Sequence, residues 1–330
     1  MTAAWVSTAE LAGGDGQSED RVFAASNSVV VLDGVSTLEA GGDPSGWYPD
    51  ALGHRLADLL AANPRDDLRE MLAEAIADVA TKHGLQPQSA PASTVAIVRW
   101  GGGFLEGLVL ADSPIMVFGN DGGIDILRDG RHETVVAELR RDAARLDGLR
   151  GRDGDELKAL IRATRPAKLA RMNQPGGYWI AETTPEAGCH AIVRRWPIET
   201  VSAVLAVTDG VSAVIDDYRV LPSWSAALNL ARREGLDGLL QTIHQAEARD
   251  PHARRWPPKP TTTRPPPSST SRRHCCDRQA AQALGRWSGD TQGIELYAQR
   301  GYAIPQPMPD GVRQAYQRLV DLGYTNRLVA

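Results

Sequence analysis

Two stretches decide how this chain reads: "SVVVLDGVS" at residues 28–36 and "VLAVTDGVS" at residues 204–212. Each is a short apolar run, rich in β-branched residues, that ends in Asp-Gly-Val-Ser. Runs of this length and composition predict buried strands. A strand ending in Asp-Gly projects a carboxylate at the sheet edge, and the glycine lets the chain turn while its carbonyl stays open to approach. Carboxylate and carbonyl oxygens together form a hard ligand set suited to Mg²⁺ or Mn²⁺. If the two strands end on the same side, Asp33 and Asp209 can serve one site.

Two further acidic positions stand beside apolar runs. "SED" at Ser18–Asp20 shortly precedes the first strand, and "LADS" at Leu110–Ser113 closes another. A lone Asp-Gly is more often a turn than a ligand. Four acidic strand ends without a Cys or His partner argue instead for a hard-metal cluster, not zinc.

Other predicted strands are Thr94–Trp100, Phe104–Ala111, Ile115–Phe118 and Val201–Val207, with Gly101-Gly102-Gly103 joining two of them as a hairpin. Because that glycine run opens onto another strand, it does not read as a phosphate loop. Helical periodicity places Leu52, Leu56, Leu59 and Leu60 on one face, then Leu68, Met71, Leu72, Ala75, Ile76 and Val79 on another, with Asp66 or Asp67 as cap. A charged helical region spans about 134–164, broken near "GLRGRDGD", and two more helices cover Ser223–Arg233 and Leu236–Ala248. Strands paired as hairpins and helices that come in pairs predict an α+β layered sandwich, not a doubly wound sheet.

The chain has 330 residues, 42% hydrophobic and 23% charged, with net charge −5. This is enough for a packed core, and it gives no electrostatic case for nucleic acid. Three cysteines, two of them adjacent (Cys275 and Cys276), make no disulfide framework. No apolar run is long enough to span a membrane, and the N-terminus lacks the pattern of a secretory signal. The expected setting is cytoplasmic.

In order along the chain, "SEDR" (Ser18–Arg21), "LDGVS" (32–36), "ASTV" (92–95), "LADSP" (110–114) and "VTDGVS" (207–212) resemble the motifs of the metal-dependent serine/threonine protein phosphatases of type 2C, the PPM family. The resemblance covers about residues 10–258. It implies a four-layer α-β-β-α sandwich, two antiparallel sheets flanked by helix pairs. It also implies hydrolysis of phosphoserine and phosphothreonine in a phosphoprotein through a metal-activated water. By that resemblance Asp33 bridges two Mn²⁺ or Mg²⁺ ions, the Gly34 carbonyl binds one of them, and Asp209 ligates the other. Glu19 and Asp20 act largely through metal-bound waters, and Asp112 matches a position that, with Asp209, holds a third ion in some members. Residues of about 134–190 correspond to the variable flap. Cys189 and His190 lie there, and being adjacent they are not expected to act as a nucleophile and its base.

The chain also departs from that pattern. No arginine precedes the acidic pair to bind substrate phosphate; Arg21, which follows it, is the candidate replacement. Ala111 stands where the family has glycine, and Pro114 where it has arginine. The acidic segment that closes the family domain is absent: residues 251–276 contain no Asp or Glu. Shifted by one nucleotide, codons for residues 261–267 can spell His-Asp-Asp-Ala-Thr-Ala-Ala, a good version of the missing segment. Residues 259–290 therefore read as a Pro/Arg-rich linker or as out-of-frame protein, without the family's final strand. Residues 291–330 read as a tail with one short helix around Val312, Tyr316, Leu319 and Val320. The rival reading of the whole chain is a catalytically impaired domain of this fold that binds a phosphoprotein or another partner. A hydrolase of small phosphate esters is a third, since hard-metal ligands do not encode the leaving group.

Overall fold

The run Ser28–Leu32 is buried at every position, and it alternates between two cores. Val29 and Val31 face a second sheet, whereas Val30 and Leu32 face a pair of helices. A strand covered on both faces needs no polar side, which is why the sequence here is a continuous apolar run. The structure, a computed structural model, describes residues 4–11, 18–35, 46–87, 89–146, 154–216, 220–248 and 282–287.

The elements in chain order are β1 (Ala4–Ala9), β2 (Arg21–Ala24), β3 (Ser28–Leu32), β4 (Gly34–Val35), α1 (Trp47–Ala62), α2 (Leu68–His83), β5 (Ala92–Ser93), β6 (Val95–Gly101), β7 (Phe104–Leu110), β8 (Ile115–Gly119) and β9 (Ile124–Leu127). Then come α3 (Arg131–Leu146), α4 (Gly154–Ala170), α5 (Glu186–Cys189), β10 (Ile192–Pro197), a 3-10 turn at Ile198–Thr200, β11 (Val201–Val207), α6 (Asp209–Asp216), α7 (Trp224–Ala248) and β12 (Gln282–Trp287). One five-stranded sheet has the order β1-β12-β11-β8-β9 and the other β10-β7-β6-β3-β2, with β4 and β5 forming a small extra pair. The pairings within the sheets are antiparallel.

Three apolar clusters make the layers. Helices α1 and α2 cover the second sheet through Leu52, Leu56, Leu60, Leu72 and Ile76 against Val30, Ile97 and Leu108. The two sheets meet through Val29, Val31, Val98 and Val109 against Ile115, Val117, Val204 and Ala206. Helix α7 covers the outer face of the first sheet, with Leu239, Leu240 and Ile243 against Ala203, Leu205 and Val207. The result is the α-β-β-α sandwich. Leu56 is wholly buried, and Leu56→Ala would cost about 2–5 kcal/mol.

The helix starts follow local chemistry. Asp67 caps α2, its carboxylate accepting from the N–H groups of Arg69 (2.7 Å) and Glu70 (3.4 Å). The region expected at 134–164 resolves into α3 and α4. The two helices expected at the C-terminal side form α7, kinked at Gly235 (φ 79°).

The twin Asp-Gly-Val-Ser segments diverge. The first continues as extended chain, Gly34 and Val35 pairing with Ser93 and Ala92. The second opens helix α6, where Thr208 accepts at its carbonyl from Val211 and Ser212. Neighbours, not the tetrapeptide, decide its backbone.

The expectation that the final strand is missing is corrected by β12. Gln282–Trp287 lies between β1 and β11, pairing with both. The rest of 259–290, and the short helix expected near Val312, lie outside the described residues.

Candidate active site

Register brings the acidic residues to one end of the sandwich. Strands β2 and β3 pair as far as Arg21 with Leu32, the residues next to Asp20 and Asp33. Strand β3 runs beside β6, and past its end the Thr94 N–H donates to the Asp33 carbonyl (3.0 Å) while the Asp33 N–H donates to Thr94 Oγ1 (3.2 Å). In the other sheet, Ala206 pairs with Ile115, and the Val207 N–H donates to the Pro114 carbonyl (3.2 Å). Asp209 follows as the first residue of helix α6. Asp20 and Asp33 are buried, at 6% and 7% exposed.

Hydroxyls join the two halves. Thr94 Oγ1 and Ser113 Oγ are 2.5 Å apart, linking the Asp33 corner to the residue after Asp112. Thr208 donates from Oγ1 to Asp20 Oδ2 (3.4 Å), linking the first acidic turn to the residue before Asp209. Ser93 adds a further hydroxyl, its Oγ donating to the Asp33 carbonyl (3.2 Å).

The Glu19–Asp20 turn is held by Arg21. Its Nη1 donates to the carbonyls of Ser18 (2.6 Å) and Asp20 (2.7 Å), and its Nε to Asp50 Oδ1 on α1 (3.3 Å). Arg21 thereby braces that turn. Gly34 seats directly on the same turn. A Cβ there would stand 2.6 Å from the Glu19 carbonyl, so only glycine admits the close approach.

A second charged cluster surrounds Asp112. His132, near the start of α3, places Nδ1 2.7 Å from Asp112 Oδ2. Its ring meets that of Tyr178 edge-on, 5.0 Å between centroids, and Lys168 of α4 places Nζ 5.9 Å from the Tyr178 centroid. Burial alone would raise the Asp112 carboxyl; the charge and hydrogen bond of His132, with Lys168 beyond, win and hold it down to about 2. Burial lowers the Lys168 ammonium, opposed by the negative charge of Asp112 and Asp209. Burial, with Asp112 and Glu182 nearby, pushes the Tyr178 phenol up, so it remains a neutral hydroxyl.

The flap is anchored by a small apolar cluster of its own. Val135, Met172, Tyr178 and Ile180 pack on Ala92 and Ala111 at the strand ends. In its return segment Asn173 takes positive φ (52°) and its Oδ1 accepts from the Ile180 N–H (2.9 Å). The expectation for Cys189 and His190 concerned their chemistry as a pair. In the structure Cys189 is exposed and His190 stacks on Trp179, 3.7 Å between centroids.

The donor set fits a hard divalent cation in chemistry. Asp20 and Asp33 are buried carboxylates, and a buried carboxylate needs a compensating partner. The Gly34 carbonyl and the Asp209 carboxylate complete an all-oxygen set. Among the described residues no three Asp, Glu, His or Cys side chains converge into one cluster. The segments that carry the four acids are linked by the Thr94, Ser113 and Thr208 hydroxyls.

Sequence reasoning missed His132, Lys168, Tyr178 and Asp129. Each comes from the flap or the loop before it, and none lies in a motif. Asp129, 1% exposed, ends the short loop after β9; it accepts from the Ala111 N–H and from Arg131. Its only sequence signal was a turn-forming Asp-Gly before a helix.

The family model for protein phosphatase 2C matches residues 17–244. No curated protein sequence matches the chain. Among solved structures, the PPM Ser-Thr phosphatase MsPP of Mycobacterium smegmatis, in complex with cacodylate, is 16% identical with a TM-score of 0.44, covering 87% of this chain and 98% of that one. The serine/threonine phosphatase PstP/Ppp of Mycobacterium tuberculosis is 13% identical with a TM-score of 0.47, covering 86% and 99%. The serine/threonine phosphatase Stp1 of Staphylococcus aureus is 12% identical with a TM-score of 0.48, covering 88% and 96%.

Proposed function

The chain belongs to the protein phosphatase 2C family, and from that premise we propose that it hydrolyses phosphoserine and phosphothreonine in protein substrates with Mn²⁺ or Mg²⁺ as cofactor. One observation supports the reading: hydrogen bonds tie the acidic segments of the two sheets together, Thr208 to Asp20 (3.4 Å) and Thr94, which holds Asp33, to Ser113 (2.5 Å), with Asp20 and Asp33 buried. Asp20, Asp33 and Asp209 would hold the ions with the Gly34 carbonyl, and Glu19 would act at the rim of the same turn. When bound, such ions supply Lewis acidity toward phosphoryl oxygens and lower the pKa of water. The chain's own part is positional. Thr94 fixes Asp33 through two hydrogen bonds, Thr208 fixes Asp20, and Arg21 stiffens the turn between Glu19 and α1.

No helix among the described residues is long and apolar enough to cross a membrane. With the cysteine usage and net charge −5, this supports a cytoplasmic enzyme acting on phosphoproteins, without nucleic acid as a partner.

The test is hydrolysis of a phosphothreonyl peptide. Turnover should require added Mn²⁺ or Mg²⁺ and stop with chelator, and Asp33→Asn should lower it by at least about 100-fold. Turnover untouched by chelator, or by Asp33→Asn, would overturn the proposal. A second reading, a domain that binds a phosphoprotein without turnover, is favoured by the engagement of Asp112 with His132. It predicts phosphopeptide binding with no phosphate release at any Mn²⁺ concentration.

A further inference from the structure

We propose that Asp129 is a positioning residue for Asp112: one buried carboxylate fixes the peptide before Asp112 and, through the corner it caps, the imidazole on the Asp112 side chain. What Asp112 contributes once positioned rests on the phosphatase reading above; how it is held does not.

Asp129 stands between β9 and α3 and is 1% exposed. Its Oδ2 accepts from the Ala111 N–H (3.1 Å) and from Arg131 Nη2 (2.6 Å). Its Oδ1 accepts from the Arg131 N–H (3.2 Å) and from Arg131 Nε (2.7 Å). A carboxylate this deep is costly unless its oxygens are occupied, and here a guanidinium fork and two backbone donors occupy both. One of those donors belongs to the residue directly before Asp112. Ala111 gives it from a left-handed backbone, φ 63°, which alanine adopts only at a cost and which therefore needs an anchor.

The far end of the same corner reaches the Asp112 side chain. His132, three residues after Asp129, places Nδ1 2.7 Å from Asp112 Oδ2. An ionised carboxylate only accepts, so Nδ1 carries the proton. Behind the imidazole, the Gly130 carbonyl accepts from the Thr134 N–H (3.0 Å) and from Thr134 Oγ1 (2.8 Å), closing the first turn of α3. Arg131 Nη2 also donates to the His190 carbonyl (2.8 Å), which ties the corner to the end of the flap. Asp112 is thus held at its backbone through Asp129 and at its carboxylate by His132, and both holds issue from residues 129–132. A helix cap would account for the bond to the Arg131 N–H, but not for the reach across to Ala111. Nor would an amide serve. In an Asp129→Asn variant either orientation turns the NH2 group toward donors, on one side the Ala111 N–H and Arg131 Nη2, on the other the Arg131 N–H and Nε.

Nitrogen NMR of ring-labelled histidine in the metal-free protein reads this arrangement, with His132→Gln assigning the signal. The wild type should show the proton of His132 on Nδ1, and a wild type without it would overturn the proposal. Asp129→Asn should shift His132 toward the Nε2–H form. Asp129→Ser, which can still cap a helix, should do the same. Adding Ala111→Gly to either variant should restore the Nδ1–H form, because glycine takes the left-handed backbone without an anchor. An unchanged signal in the Asp129 variants would overturn the proposal, as would a change that Ala111→Gly does not repair. If Asp129→Asn fails to fold, Asp129→Ser decides by the same two criteria. Turnover of a phosphothreonyl peptide with Mn²⁺ gives a second reading. Asp129→Asn should lower kcat about 10-fold with KM unchanged, and should lower it no further when Asp112→Asn is already present. Fully additive losses would overturn the proposal. A wild type without turnover would instead sink the phosphatase reading, and the histidine signal would still decide the role of Asp129.

Discussion

The Ala111 N–H donates to Asp129 Oδ2 at 3.1 Å, and Ala111 does so from a left-handed backbone, φ 63°, with its side chain buried. A Cβ in that conformation costs roughly 1–2 kcal/mol. Asp129 holds the strain in place because it is itself fixed by Arg131, at 2.7 and 2.6 Å. This turn aims Asp112, so the sandwich carries a strained residue directly before an acidic one.

Ala111→Gly should therefore stabilise the protein. Part of the relieved strain is offset by glycine's greater freedom in the unfolded chain, leaving a gain of about 1 kcal/mol. The midpoint of urea unfolding should rise with an unchanged slope. A lower midpoint would mean that the Ala111 methyl, packed with Ala92 and Val135, contributes more than the strain removes.

Much of the sandwich was legible because its central strands are buried on both faces. Ser28–Leu32 and Val201–Val207 are continuous apolar runs for that reason. The leucine stripes of α1 and α2 were equally plain, and so were the acidic strand ends. Edge strands were not: Ile192–Pro197 reads "IVRRWP", half-exposed and charged, because its outer ladder faces solvent. Strand β12 was hidden for a different reason. "QALGRW" has neither alternation nor β-branching, and its place comes from the gap between β1 and β11. His132 and Lys168 were invisible because they reach the site from helices with no chemical motif. Only tertiary packing brings His132 to Asp112 and Lys168 over Tyr178.

The two sheets are clasped at their open edges by Asp125 of β9, which pairs with the Arg194 guanidinium of β10 and accepts from Trp196 Nε1 at 2.8 Å. Burial opposes ionisation, but Arg194 and Trp196 together prevail and the Asp125 carboxyl lies below its ordinary value. For a depressed carboxyl, the stabilisation is present above the unfolded-state value of 3.8 and is lost as pH falls through the lower folded value. Asp125→Asn should lower the melting temperature at pH 7 by an amount equivalent to less than about 1 kcal/mol, since the pair is solvent-exposed. The difference should shrink as pH drops below 3.8 and in high salt. A difference independent of pH would assign the loss to the Trp196 hydrogen bond alone.

Arg21 should matter more as a fork than as a charge. One guanidinium reaches two carbonyls of the acidic turn and a carboxylate of α1, which the single ammonium of lysine cannot do. Arg21→Lys should raise the Mn²⁺ concentration needed for half-maximal binding by about 10-fold. Asp50→Asn, which weakens one leg of the fork, should raise it less. Mn²⁺ titration with a direct binding readout separates this from loss of fold. A change in the KM for phosphopeptide with unaltered Mn²⁺ affinity would return Arg21 to the role of phosphate ligand.

The final prediction concerns β12. Leu284 pairs with Ser7 of β1 on one side and Leu205 of β11 on the other, so this strand has no free edge along which a missing N–H would go unnoticed. Proline at that position removes one ladder bond and clashes with the sheet. Leu284→Pro should cost at least about 3 kcal/mol. It should also expose the edges of β1 and β11, which are templates for pairing with another chain. The expected result is earlier thermal unfolding together with concentration-dependent aggregation, read by light scattering during the melt. Trp287→Pro, at the end of the strand, should be milder. If Leu284→Pro melts like the wild type, Gln282–Trp287 is not the strand that closes this sheet. The codon shift that restores an acidic segment at 261–267 would then be the better source of the closing strand, and rebuilding that frame should raise the melting temperature and supply the last carboxylate together.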